Sequence, residues 1–113
     1  MKKEIKELFS KLEMMIESDF NEDEVEERAY KLLWQLENIW EILVLGSMIR
    51  WAEFEDEDRG IEIAGNIVDK AIEKAVKEKS QEDLKIIIDE LEISMELDEQ
   101  ALEVKTILED WNK

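Results

Sequence analysis

The chain has 113 residues, 32 of them acidic against 15 basic, a net charge of −17, and neither Cys nor His. Disulfides, thiolate metal sites, Cys nucleophiles and imidazole chemistry are thereby excluded, while the length suits a single domain burying roughly 65% of its unfolded surface. The acid excess sits in two blocks, 19–58 and 82–113, which disfavours direct contact with nucleic acid or an anionic membrane and favours a protein partner with a basic surface.

The opening residues alternate charge and apolar character, Lys2, Lys3, Glu4, Ile5, Lys6, instead of leading into an apolar signal segment, so a cytoplasmic location is the expectation. A first helix, about 2–18, carries Ile5, Leu8, Phe9, Leu12, Met15 and Ile16 on one arc and covers its remainder with Lys and Glu. A second helix starts at Asn21, a good N-cap, with Glu24 at N3 and Phe20 and Val25 at the staple positions. Asp19, Glu22, Asp23 and Glu24 place negative charge at the positive end of its dipole.

The apolar spacing then predicts one helix over 22–54, kinked but continuous at Gly46 and Ser47. At 100° per residue Leu32, Leu33, Leu36, Ile39, Trp40, Leu43, Trp51 and Phe54 form one stripe, read as the core face. A second, roughly opposite stripe holds Tyr30, Trp34, Ile42, Leu45, Met48, Ile49 and Ala52, whose covering the sequence does not assign. Arg50 projects toward a carboxylate at the rim. The run 42–49 is too short to span a bilayer, where about 20 apolar residues are needed.

Glu53, Glu55, Asp56, Glu57 and Asp58 lead to Arg59 and Gly60, where a turn is expected, with Asp56 or Asp58 capping a third helix. Its arc of Ile61, Ala64, Gly65, Val68, Ala71, Ile72 and Ala75 contains small residues that permit close approach of the second helix. Lys70, Lys74 and Lys77 are read as solvated charge. Ser80 and Asp83 open a fourth helix with Leu84, Ile87, Ile88, Leu91 and Met95 on its main face and Ile86, Ile93 and Leu97 on a smaller one. Asp98 caps a fifth in one reading; in the other an unbroken helix runs over 81–112. The expected fold is therefore all-α, a single-domain bundle of four to five helices around a long central helix at about 22–54. The absence of Pro and the wealth of Glu, Lys and Ile also match a thermophile's composition.

Carboxylate pairs are the catalytic groups available. Glu24-x-x-Glu27 followed by Glu55-x-x-Asp58 resembles the all-α nucleotide pyrophosphohydrolases of the MazG type, whose two such motifs hold Mg²⁺ for the substrate's phosphates; that resemblance implies these four residues as metal ligands. The same spacing recurs at Glu4/Glu7, Glu53/Asp56 and Glu96/Glu99, as it must when more than a quarter of positions are acidic. The reading favoured by composition is a non-enzymatic interaction module, with no cofactor, that binds a basic protein surface, in its sharpest form an inhibitor or nucleic-acid mimic. Its contact residues would be Tyr30, Trp34, Glu37 and Glu41 on one side of the second helix, together with Glu53, Glu55, Asp56, Glu57 and Asp58. The doubled apolar faces predict a homodimer burying Leu45, Ile49 and Ala52, or Ile86, Ile93 and Leu97. A structural subunit of a helical assembly is the third class.

Overall fold

The computed structural model describes residues 2–18 and 20–113, and all regular structure among them is helical. It comprises α1 (Lys3–Glu17), α2 (Glu22–Gln35), α3 (Ile39–Arg50), α4 (Glu57–Lys77), α5 (Gln81–Asp89), a π-helical turn continuing α5 (Glu90–Ser94), and α6 (Asp98–Trp111). Asp19, read as part of the acidic start of α2, lies outside the described residues. No helix among those described is long and apolar enough to cross a membrane.

Where one helix over 22–54 was expected, two stand, broken over residues 36–38 and not at Gly46. Leu36 is extended (ψ 129°), and Asn38 caps α3, its side-chain oxygen accepting from the N–H groups of Trp40 at 2.8 Å and Glu41 at 3.3 Å. The freed carbonyls at the end of α2 are met by Lys70 of α4, whose ammonium donates to Leu33 O and Leu36 O, both at 2.6 Å. Lys70 is therefore a structural donor, not solvated charge; Lys74 pairs with Glu78 at 2.9 Å, and Lys77 is exposed.

The centre of the molecule is α4. It contacts α2, α3 and α5, and through Gly65 and Asp69 it receives Gln100 of α6. Its most extensive neighbour is α3, and Gly46 makes the approach possible: a Cβ there would lie 3.1 Å from Val68 Cγ2. Ala64, Ala71 and Ala75 are fully buried, as the expectation of close packing required. Asp56, not Asp58, caps α4, accepting from Arg59 N at 3.2 Å, and Gly60 lies inside the first turn against the Phe54 ring. Phe54 also meets Phe20 edge-on at 4.9 Å.

The remaining boundaries follow from caps. Asn21 accepts from Glu24 N at 3.1 Å, and Ser80 Oγ from Asp83 N at 3.1 Å, both as expected. Lys79 takes a left-handed conformation (φ 54°), so that Lys79 N bonds Val76 O and Ser80 N bonds Ala75 O, the Schellman pattern. The second such residue is Glu96 (φ 54°), which ends the π-helical turn and divides α5 from α6. Asp98 is then the first helical residue and not a cap; Leu97, buried, holds the N-cap position. The extents are 49 × 31 × 19 Å, so the shortest dimension is about two helix diameters.

Candidate interaction surface

The break at residues 36–38 decides which side of α3 is core. Ile39, Ile42, Leu43, Leu45 and Ile49 are buried, whereas Trp40, Val44 and Trp51 are 54%, 47% and 51% exposed. At 100° per residue Trp40, Val44, Ser47 and Trp51 fall within an arc of about 60°, a single outward stripe. Trp40 and Trp51 thus leave the core stripe assigned to them, and Ile42, Leu45 and Ile49 enter the core, because the second helix starts a new phase at Asn38. Leu45 and Ile49 are covered by the chain itself and are closed to a partner of the folded molecule; the same holds for Leu97. Ala52 and Ile86 are half-buried, and Ile93 is 79% exposed.

The outward stripe meets the start of α5 at one end and the π-helical turn at the other. Trp40 shares a groove with Asp83 at the start of α5, together with Glu37 and Lys74. At the other end Trp51 Nε1 donates to Ser94 O at 2.6 Å, and Arg50 Nε donates to Met95 O at 2.9 Å. These two carbonyls close the π-helical turn, where the helical ladder supplies no donors of its own. The Arg50 guanidinium also lies 4.4 Å from the Trp51 ring centroid, a cation–π contact. Arg50 therefore reaches a carbonyl and an aromatic ring in place of the expected carboxylate.

The acids read as contact residues divide between several places. Glu53, Glu55 and Glu57 line a cleft with Trp51 and Arg50. Asp56 is committed to its cap, and its own N–H points to Glu22 Oε1 at 3.4 Å; Asp58 is exposed in the first turn of α4. Tyr30 is half-buried, its hydroxyl accepting from Asn66 Nδ2 at 3.1 Å, and Trp34 one turn later is 82% exposed. Glu37 and Glu41 line a second cleft with Ile5 and Asn38 at the start of α1. The shared side drawn through Tyr30, Trp34, Glu37 and Glu41 depended on a continuous helix and does not survive the break.

Glu24 and Glu27 line the groove between α1 and α2, beside Arg28 at 3.8 Å and Lys31 at 3.0 Å. Glu55 borders the Trp51 cleft instead. Among the described residues no three acids come together in a way that would hold a metal ion. Two acids of α2, Asp23 and Glu26, both accept from Arg59 Nη2 of α4, at 2.6 and 2.8 Å. The hydrogen bond to Glu26 first, and that to Asp23 second, hold the Arg59 guanidinium still further above its ordinary pKa.

Sequence reasoning missed the Trp40–Val44–Trp51 stripe and the Arg59 clamp. The signal for the first was present: Asn38-x-x-Glu41 repeats the N-cap pattern of Asn21-x-x-Glu24. For Arg59, adjacency to four acids in sequence concealed two partners on another helix. Fold and surface together define an acidic all-α domain with aromatic side chains presented to solvent. Comparison with known protein families, with characterised proteins and with solved structures finds no match.

Proposed function

We propose that this chain is a non-enzymatic interaction module whose partner is a protein with a basic surface. The observation that carries the reading is the exposure of Trp34, Trp40 and Trp51, each at least half open to solvent, on a molecule of net charge −17. Exposed apolar surface marks binding sites where it gathers, as it does along α3, and Trp is among the residues most enriched as binding anchors. The surrounding charge steers basic partners and repels acidic ones. In its sharper form the module is an inhibitor that mimics nucleic acid, its carboxylates standing where phosphates would.

The test is titration against a panel of purified nucleic-acid-binding proteins of net positive charge, with neutral proteins of similar size as controls. Binding to basic members, weakened tenfold or more between about 0.05 and 0.5 M NaCl, is expected. DNA displacing the chain from its partner supports the mimic. Equal binding by neutral controls, or affinity indifferent to salt, overturns the reading.

A further inference from the structure

We propose that the outward face of α3, Trp40, Val44 and Trp51, with Ile93 of the adjoining π-helical turn, docks a basic amphipathic helix. The proposal rests on the interaction-module reading and adds to it the site and the form of the partner. Three apolar side chains recur at i, i+4 and i+11 along α3 and its C-cap residue Trp51, while the opposite side of α3 already supplies the core through Ile42, Leu45 and Ile49. Packing within the chain therefore leaves about half of each open to solvent. Trp40 to Trp51 spans eleven residues, about 16 Å along the axis, the length of a three- to four-turn partner helix.

Charge selects the occupant. Glu37 and Asp83 flank Trp40 beside Lys74, whose single charge is hydrogen-bonded to Glu78 and shared electrostatically with both. Glu53, Glu55 and Glu57 flank Trp51, where Arg50 is taken by Met95 O and by the Trp51 ring itself. The apolar strip thus ends in an excess of acid on both sides, two acids and the Lys74–Glu78 pair at one end and three acids against Arg50 at the other. A helix with Leu, Ile or Met on one face and Lys or Arg toward both ends complements it, in the helix-on-groove mode of recognition. A second copy of this chain would set those acids against one another.

The experiment uses the full chain and a dye-labelled synthetic helix of about four turns, Leu on one face and Lys elsewhere, followed by fluorescence anisotropy. Comparison peptides are a scramble of the same composition, oligolysine of equal charge, and a Leu/Glu helix. Micromolar binding of the Leu/Lys helix alone is expected, weakened at least tenfold by Trp40→Ala and at least threefold by Val44→Asn. Met14→Asn, at an exposed position on α1, should leave it unchanged. Circular dichroism checks each variant, and Val44→Asn decides if Trp40→Ala is misfolded. Scramble or oligolysine binding as tightly overturns the docking face but leaves the basic-partner reading standing. Failure of every basic peptide at low salt overturns both. Binding untouched by either α3 variant places the peptide elsewhere and overturns the face, as does sedimentation at twice the monomer mass that Trp40→Ala abolishes.

Discussion

Lys70 sits half-buried on α4 with its ammonium between Leu33 O and Leu36 O, doing for the end of α2 what a C-terminal glycine motif does elsewhere. Two charge-assisted bonds at 2.6 Å bind the end of one helix to the middle of another, so their loss is felt twice, as orphaned carbonyls and as a loosened pair of helices. Lys70→Met, which keeps the alkyl stem, should cost about 2–3 kcal/mol in urea denaturation. A loss no larger than the few tenths of an ordinary surface substitution would show that water replaces the ammonium at no cost. Lys79 offers the opposite case. Its left-handed backbone is uncomfortable for a residue with a Cβ, and its side chain is exposed. Lys79→Gly should therefore stabilise by about 1 kcal/mol, with Lys79→Ala as a control giving no gain. If both variants behave alike, the gain belongs to removal of the lysine and not to the backbone.

Between elements, the closest fit is α3 against α4 at Gly46. A Cβ there would stand 3.1 Å from Val68 Cγ2 and 3.5 Å from Met95 Cε, so a branched side chain forces the helices apart. Gly46→Val should cost about 2 kcal/mol or more by denaturation, against the gain in helix propensity that the same change brings at an exposed site. A neutral or stabilised variant would mean that Val68, the nearer neighbour, gives way freely together with Met95. The starts of α2 and α5 were legible because Asn21 and Ser80 stand before apolar runs with an acid three residues on. The start of α4 was legible to within two residues, since Asp56 and Asp58 both had the chemistry and the ring of Phe54 against Gly60 favours the earlier turn. The start of α3 was overlooked for an opposite reason. Apolar residues keep helical phase across 36–38, and a wheel drawn through the break places Trp40 and Trp51 inside. Neither the π-helical turn nor the left-handed Glu96 that ends it has a composition signal, because Glu normally favours an ordinary helix there.

For the molecule as a whole, charge decides how stability responds to solvent. Among the described residues every ion pair has at least one partner that is more than a third exposed; Arg59 with Glu26 is the most sheltered, at 28% and 34%. Such pairs contribute little each, about 0–1 kcal/mol, and salt weakens them. Against them stands the mutual repulsion of a chain at −17, spread over a molecule of radius of gyration 14.2 Å, where most acids lie beyond contact but within a Debye length at low salt. The unfolded chain relieves this repulsion by expanding, so repulsion favours unfolding, and salt should remove more destabilisation than stabilisation. The melting temperature is expected to rise from about 0.01 to 0.5 M NaCl, by roughly 4–8 °C for each kcal/mol of repulsion relieved. Chloride is the right anion for the measurement, because sulfate strengthens apolar burial in any protein. At alkaline pH the direction reverses. Lys74 and Lys105 are raised above their ordinary value of 10.5 chiefly by hydrogen bonds to Glu78 and Glu92. Their pairing is fully present below 10.5 and is lost as pH climbs through the raised folded values, while each lysine neutralised adds to the net negative charge. Stability should therefore fall above pH 10.5, and the fall should be shallower in 0.5 M NaCl than at low salt. A melting temperature that drops on adding NaCl at pH 7 would mean that the ion pairs outweigh the repulsion, and would place the Arg59 clamp, the most sheltered of them, first among the candidates for that stabilisation.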